Sequence, residues 1–245
     1  MRAVVMLIAL LVAMPAHAQM DLWDQRARTP GLIWGSKIVI EDQPCCETAK
    51  GTPTDDSAEA TVLAAEPRRA FRDGRVLKLN LMGGRSLKIT DCDQEACNPV
   101  EYRRHRLVAW WTLPGFRYYV VNVHLYEGGM TYLIREADGL VVVVAAPPVL
   151  SPSSRYAIAW NRSLMDGPSM ELLDLNSYPP TMRDITPGAV CFGRSESTYP
   201  GAKPVWLSDT QLIFDDSEFF ASNSPRFRMT LRIVAELNLR WECQL

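Results

Sequence analysis

Asp91, Asp93 and Glu95 alternate through a polar stretch, and oxygen ligands at such spacing are of the kind that hold Ca²⁺. Cys92 and Cys97 flank and interrupt the stretch, and the glycine that lets an EF-hand loop turn sharply is missing, so these residues read as a solvated hairpin tip. Asp215, Asp216 and Glu218 form a second acidic cluster. Glycoside hydrolysis needs two carboxyls facing each other across a sugar. Neighbours on a strand point to opposite faces, which makes Asp215 and Asp216 a poor acid–base pair. His105 lies in the basic run Arg103–Arg106, and His124 ends an apolar strand. Neither has a second ligand at metal-binding spacing, and no HExxH or GxSxG motif is present. A Ser–His–Asp set assembled from distant positions carries no weight. This reading designates no catalytic residue, no metal ligand and no cofactor.

Aromatic residues are the stronger lead. Trp110, Trp111, Tyr118, Tyr119, Tyr126, Tyr132 and Trp160 crowd one part of the chain. Adjacent residues on a strand face opposite ways, so one member of each pair is available to solvent. Beside Arg103, Arg104 and Arg117, exposed Trp110, Trp111 or Tyr126 would stack on sugars or anchor a protein partner. Packing of the same rings between sheets is the competing reading. The sequon Asn161-Arg-Ser163 arises often by chance and carries little weight.

These residues belong to an ordinary globular composition: 245 residues, 47% hydrophobic and 22% charged, with net charge −2. Twenty-six Lys and Arg against 28 Asp and Glu argue against a dedicated nucleic-acid binder, which needs a concentrated positive field. Met1-Arg2, an apolar run from Ala3 to Pro15, and Ala16-His17-Ala18 together read as a signal peptide over residues 1–18. No later apolar run is long enough for a membrane span, and the mature chain is expected in the periplasm or secreted. Export changes how the six cysteines read, because an even count in an oxidising compartment favours disulfides. Cys92–Cys97 closes a small polar loop, and Cys191–Cys243 is next in line. The longer loop would add about 4 kcal/mol in the chain-entropy model. Adjacent Cys45 and Cys46 cannot bridge each other without strain.

The elements that must position these side chains are strands. Residues 19–70 are rich in loops, with short strands at 32–34 and 37–40, a long loop over 43–60 and a helical turn within 61–70. Val76–Leu81 and Ser86–Thr90 alternate around Gly83-Gly84, the pattern of a β-hairpin. From residue 106 a loose repeat follows. Its first unit has strands at 106–111, 118–123, 131–135 and 140–144. The second has 148–150, 156–160, 170–175 and 181–185, and the third 204–206, 211–214, 228–234 and 240–243. Four short strands in roughly 40 residues is the signature of a propeller blade. The expected fold is all-β, a propeller-like array of three to four four-stranded units in a single domain over 19–245. A β-sandwich or irregular barrel is the alternative.

Val149-Leu-Ser-Pro-Ser-Ser-Arg-Tyr-Ala-Ile-Ala-Trp160 resembles the opening of the repeats in TolB-type and related periplasmic propellers, where Ser-Pro-Asp-Gly precedes an alternating strand. Here Ser153-Ser154 stands in place of Asp-Gly, and the copy at Trp206–Phe214 lacks the proline. The resemblance covers one repeat well and three loosely, and it implies a propeller fold without implying an activity. Two functions follow: a non-catalytic module that binds an envelope protein or a glycan, or a cell-envelope hydrolase using scattered carboxylates. N-terminal sequencing of the exported protein is expected to begin at Gln19 or within a few residues. Non-reducing mass spectrometry is expected to show at least two disulfides; six free thiols would reject the framework.

Overall fold

The computed structural model describes residues 57–92, 102–125, 128–163, 167–177, 180–185, 204–215, 228–234 and 238–244. Strands dominate them. One helix, α1 (Ser57–Ala65), precedes fifteen strands. The stretch around α1 is rich in alanine, the best helix former, and Pro67 bars Glu66 from helical geometry, so the helix stops there. It begins within the stretch read as loop and ends before 70, which corrects the expected turn over 61–70.

The first sheet is a three-stranded meander of β1 (Ala70–Asp73), β2 (Val76–Asn80) and β3 (Ser86–Thr90). The predicted hairpin is its second half, with Val76 opposite Thr90 and Asn80 opposite Ser86. Gly83 and Gly84 both take φ +74°, a region that L side chains disfavour. The second sheet runs in order through β4 (Arg103–Leu113), β5 (Phe116–Leu125), β6 (Gly128–Arg135) and β7 (Val141–Val144). The third comprises β8 (Val149–Leu150), β9 (Tyr156–Ser163), β10 (Gly167–Asp174) and β11 (Thr181–Asp184). The fourth comprises β12 (Pro204–Ser208), β13 (Gln211–Asp215), β14 (Arg228–Val234) and β15 (Asn238–Gln244). Every pairing is antiparallel between sequence neighbours, and each sheet from the second onward matches one repeat unit of the sequence. The short strands expected at 32–40 lie outside the described residues.

Apolar packing joins the first three sheets face to face. Leu77, Leu79 and Ile89 of the first meet Leu107, Tyr119, Val121 and Ile134 of the second. On the other side of the second sheet, Tyr118, Val120, Leu133 and Val142 meet Ala157, Ala159 and Leu173 of the third. The second sheet is therefore buried on both faces, and β5 carries buried residues at consecutive positions from Tyr118 to Val121. Each such aliphatic side chain contributes about 1.5–3 kcal/mol by leaving water.

β4 carries a bulge. Leu107 pairs with Val121 but Ala109 pairs with Val120, so Val108 is an extra residue and sits exposed. An extra residue reverses the alternation of faces. Leu107 packs toward the first sheet and Ala109 toward the third. Trp110 then returns to the first-sheet side and Trp111 to the third.

The third and fourth sheets meet at their edge strands. The Trp206 indole donates to the Val149 carbonyl at 3.0 Å, and Asp209 Oδ1 accepts from the Ser153 N–H at 2.8 Å. Ser153 belongs to the Ser151–Arg155 turn, where the Ser154 N–H bonds the Ser151 carbonyl. Ser154 has φ +62°, in the left-handed region that favours glycine. A left-handed conformation costs an L residue about 1–2 kcal/mol, partly offset by the greater chain entropy of glycine. Ser154→Gly is expected to stabilise the protein by up to about 1 kcal/mol, read as a higher denaturant midpoint, and Ser154→Val to destabilise it.

Candidate functional site

Five side chains from α1, β1, the end of β3 and the start of β4 converge in the interior. Glu59, Asp91, His105 and Arg106 are all under 8% exposed, and Asp91 and His105 are at 1%. Glu59 takes Arg72 in a two-pronged ion pair, Oε2 to Nε at 2.6 Å and Oε1 to Nη2 at 2.8 Å. Its Oε1 also accepts the N–H of Leu107, beside the bulge, at 2.8 Å. Arg72 continues to Asp91 Oδ2 at 3.0 Å and to the His105 carbonyl at 2.6 Å. Asp91 Oδ1 accepts the His105 N–H at 2.7 Å and lies 3.1 Å from Nδ1 of the same residue. Arg106 Nη1 reaches Asp91 Oδ2 at 2.7 Å.

Two carboxylates face two guanidiniums, so the cluster is close to neutral. Burial pushes the Asp91 carboxyl up, but hydrogen bonds from His105 and the charge of Arg72 outweigh it and hold the group below its ordinary value. An ionised carboxylate only accepts, so Nδ1 of His105 carries the proton. A carboxylate orienting an imidazole through Nδ1 is the arrangement of a general base, with Nε2 as the working nitrogen. Here Nε2 has no hydrogen-bond partner among the described residues, and the ring lies 6.2 Å from that of the buried Tyr132 between centroids. The pair is removed from solvent and joins the end of β3 to β4.

Asp91 is thus no part of a solvated hairpin tip, and the basic run 103–106 is no simple solvated patch. Asp93 and Glu95 lie outside the described residues, as do Asp216 and Glu218. Cys92 is buried in an isolated bridge opposite Arg103, whose Nη2 lies 3.3 Å from Sγ. Cys97 and Cys191 are outside the described residues, and Cys243 is described only as a position on β15, so the pairings expected for them are not on view.

Next to this cluster an open cleft of about 320 Å³ lies between α1 and β4. Val62, Ala65, Leu107, Ala109, Trp110 and Tyr119 give it mainly apolar walls, with Thr61, Glu66 and Arg69 adding polar groups. The Arg69 guanidinium stacks on the Trp110 ring with 3.7 Å from its carbon to the ring centroid. Glu136 holds the same guanidinium at 2.5 Å and Glu66 holds its Nε at 3.2 Å. Tyr119 donates to the Asn80 carbonyl at 2.5 Å, and burial, reinforced by the charge of Glu136, raises its hydroxyl to about 12. The phenol therefore stays protonated.

Of the three aromatics singled out as binding residues, Trp110 lines this cleft, half-buried. Trp111 is half-buried on the opposite face against the core shared with the third sheet. Tyr126 lies outside the described residues. Both tryptophans are thus half-buried, Trp110 in the open cleft and Trp111 against the core shared with the third sheet. Glu59, Arg69 and Arg72 were missed; the signal was a cluster of arginines on strands otherwise patterned for burial.

Asp91→Asn leaves two guanidiniums short of a partner charge and is expected to cost about 3–5 kcal/mol, with Glu59→Gln similar. Since the Asp91 carboxyl titrates lower when folded than when unfolded, its contribution is fully present above about pH 4. It is lost as pH falls through the folded-state value. Urea titrations at pH 3–7 are expected to show that acid-limb loss in the parent and a flatter limb in Asp91→Asn. Comparison with protein-family models, with curated proteins and with solved structures yields no match for this chain.

Proposed function

We propose that this chain is an exported recognition module, periplasmic or secreted, whose β meanders form a propeller-like array and which binds an envelope partner without catalysing a reaction. The observation that carries the reading is the cleft beside α1. Its apolar walls and the Trp110 ring, held flat by Arg69, suit an inserted apolar side chain of a partner. The Arg69–Glu136 and Arg69–Glu66 pairs fix that ring in advance, which lowers the entropy lost on binding.

Three features support the wider proposal. The later meanders each match one sequence unit, the first three pack face to face, and Ser154, at the position that carries glycine in the repeats the sequence resembles, has a left-handed φ. The hydrolase reading has less support, because Glu59, Asp91 and Glu136 already hold guanidinium groups. Cleavage after Ala18 and disulfides among Cys92, Cys97, Cys191 and Cys243 belong to the same proposal.

Ala65 is exposed at the end of α1 and lines the cleft, so Ala65→Trp fills it without removing core atoms. The variant is expected to keep its melting temperature and to lose the envelope protein that the parent retains in a pull-down. Trp110→Ala is expected to lose the partner and also about 3 kcal/mol of stability. Retention of the partner by both variants would defeat the cleft as the site.

A further inference from the structure

The outward face of the first sheet carries a second surface, separate from the cleft. Leu77, Leu79 and Ile89 point inward, so the alternate residues point out. Register places Phe71, Lys78 and Lys88 in one row across β1, β2 and β3. Phe71 is 41% exposed and Lys88 is exposed. The flanking rows, Asp73–Val76–Thr90 and Asn80–Ser86, are polar apart from Val76. This face is therefore not built to be covered by another sheet.

The row contains a feature that folding does not explain. Lys78 and Lys88 are direct cross-strand partners, and like charges so placed destabilise a sheet. Lys78 is partly compensated by Asp73 at 3.6 Å and lies 5.0 Å over the Phe71 ring. Lys88 has no ion-pair partner among the described residues. The segment Glu66–Asp91 holds seven Lys and Arg against three Asp and Glu on a chain of net charge −2, with Arg69 and Arg72 of these held in the ion pairs described above.

We infer that this face binds an anionic polysaccharide, with sugar carboxylates on Lys78 and Lys88 and an apolar sugar face on Phe71. Three strands give a flat strip roughly 10 Å wide and about 17 Å long, a platform for an extended chain of rings. An anion spanning the row would relieve the repulsion between the lysines. Nucleic acid fits less well, because its charge density calls for a larger positive field than two lysines on an acidic chain provide.

The test is isothermal titration of the full protein with polygalacturonate at low ionic strength, beside neutral dextran and a DNA duplex. Polygalacturonate is expected to bind and to weaken with salt, dextran to give no heat, and DNA to bind at least tenfold more weakly. Lys88→Gln and Phe71→Leu are each expected to weaken polygalacturonate binding about fivefold or more, with melting temperatures unchanged or, for Lys88→Gln, raised. Ala65→Trp is expected to bind polygalacturonate as the parent does, which keeps this surface distinct from the cleft. Absence of polygalacturonate binding, equal binding by the two variants, or tighter binding of dextran or DNA would overturn the inference.

Discussion

The arrangement of the first two sheets depends on one buried set of charges. Glu59, Arg72, Asp91 and Arg106 come from four separate elements and meet where water is excluded. Each ion has lost its hydration, a cost of several kcal/mol that only close opposite charge and further hydrogen bonds offset. The partners therefore cannot separate one at a time, and α1, β1, β3 and β4 are held as a unit. Apolar contacts within the cluster that holds Leu77 and Tyr119 tolerate small shifts. The charges do not, so they set the relative position of the elements while the apolar groups supply most of the driving force.

The same device recurs along the chain in reduced form. Glu171 of β10, buried, accepts the Ala145 N–H that ends β7 at 2.8 Å. Asp209, in the turn after β12, accepts the Ser153 N–H of the third sheet and is held below its ordinary value chiefly by that bond. With Glu59 on Leu107 and Asp91 on His105, carboxylates bridge each consecutive pair of sheets through a backbone amide. A backbone amide outside the ladder needs an acceptor, and a carboxylate makes the stronger, charge-assisted bond. The bond holds adjoining sheets at set positions without requiring a sequence motif, because many placements of Asp or Glu satisfy it.

This use of charge bears on function. Among the described residues, Glu59, Asp91 and His105 are spent on holding elements together. What faces solvent is different in kind: an apolar cleft with a clamped tryptophan and a basic, aromatic sheet face. Both suit recognition, and both sit on strands or helix rather than on free loops, which limits the entropy lost when a partner binds.

Much of the architecture was legible in the chain. The hairpin at 76–90 follows from period-two alternation around glycines, and the twelve later strands from alternating or short continuous apolar runs separated by turns, the continuous runs marking strands covered on both faces. Helix α1 was not, since its nine residues show little apolar stripe and its placement comes from Glu59 reaching a distant arginine. Asp91 read as solvated because polar residues beside a turn are usually so, and only the convergence of α1, β1, β3 and β4 buries it. The choice between Trp110 and Trp111 likewise lay beyond the chain itself. Alternation makes them face apart, but the bulge at Val108 sends Trp110 to the cleft, and that bulge lies beside the amide held by a carboxylate forty-eight residues earlier. Local pattern determines which residues form strands; contacts between residues far apart in sequence decide which face of a strand meets solvent, because the stabilising partner is supplied only when the sheets meet.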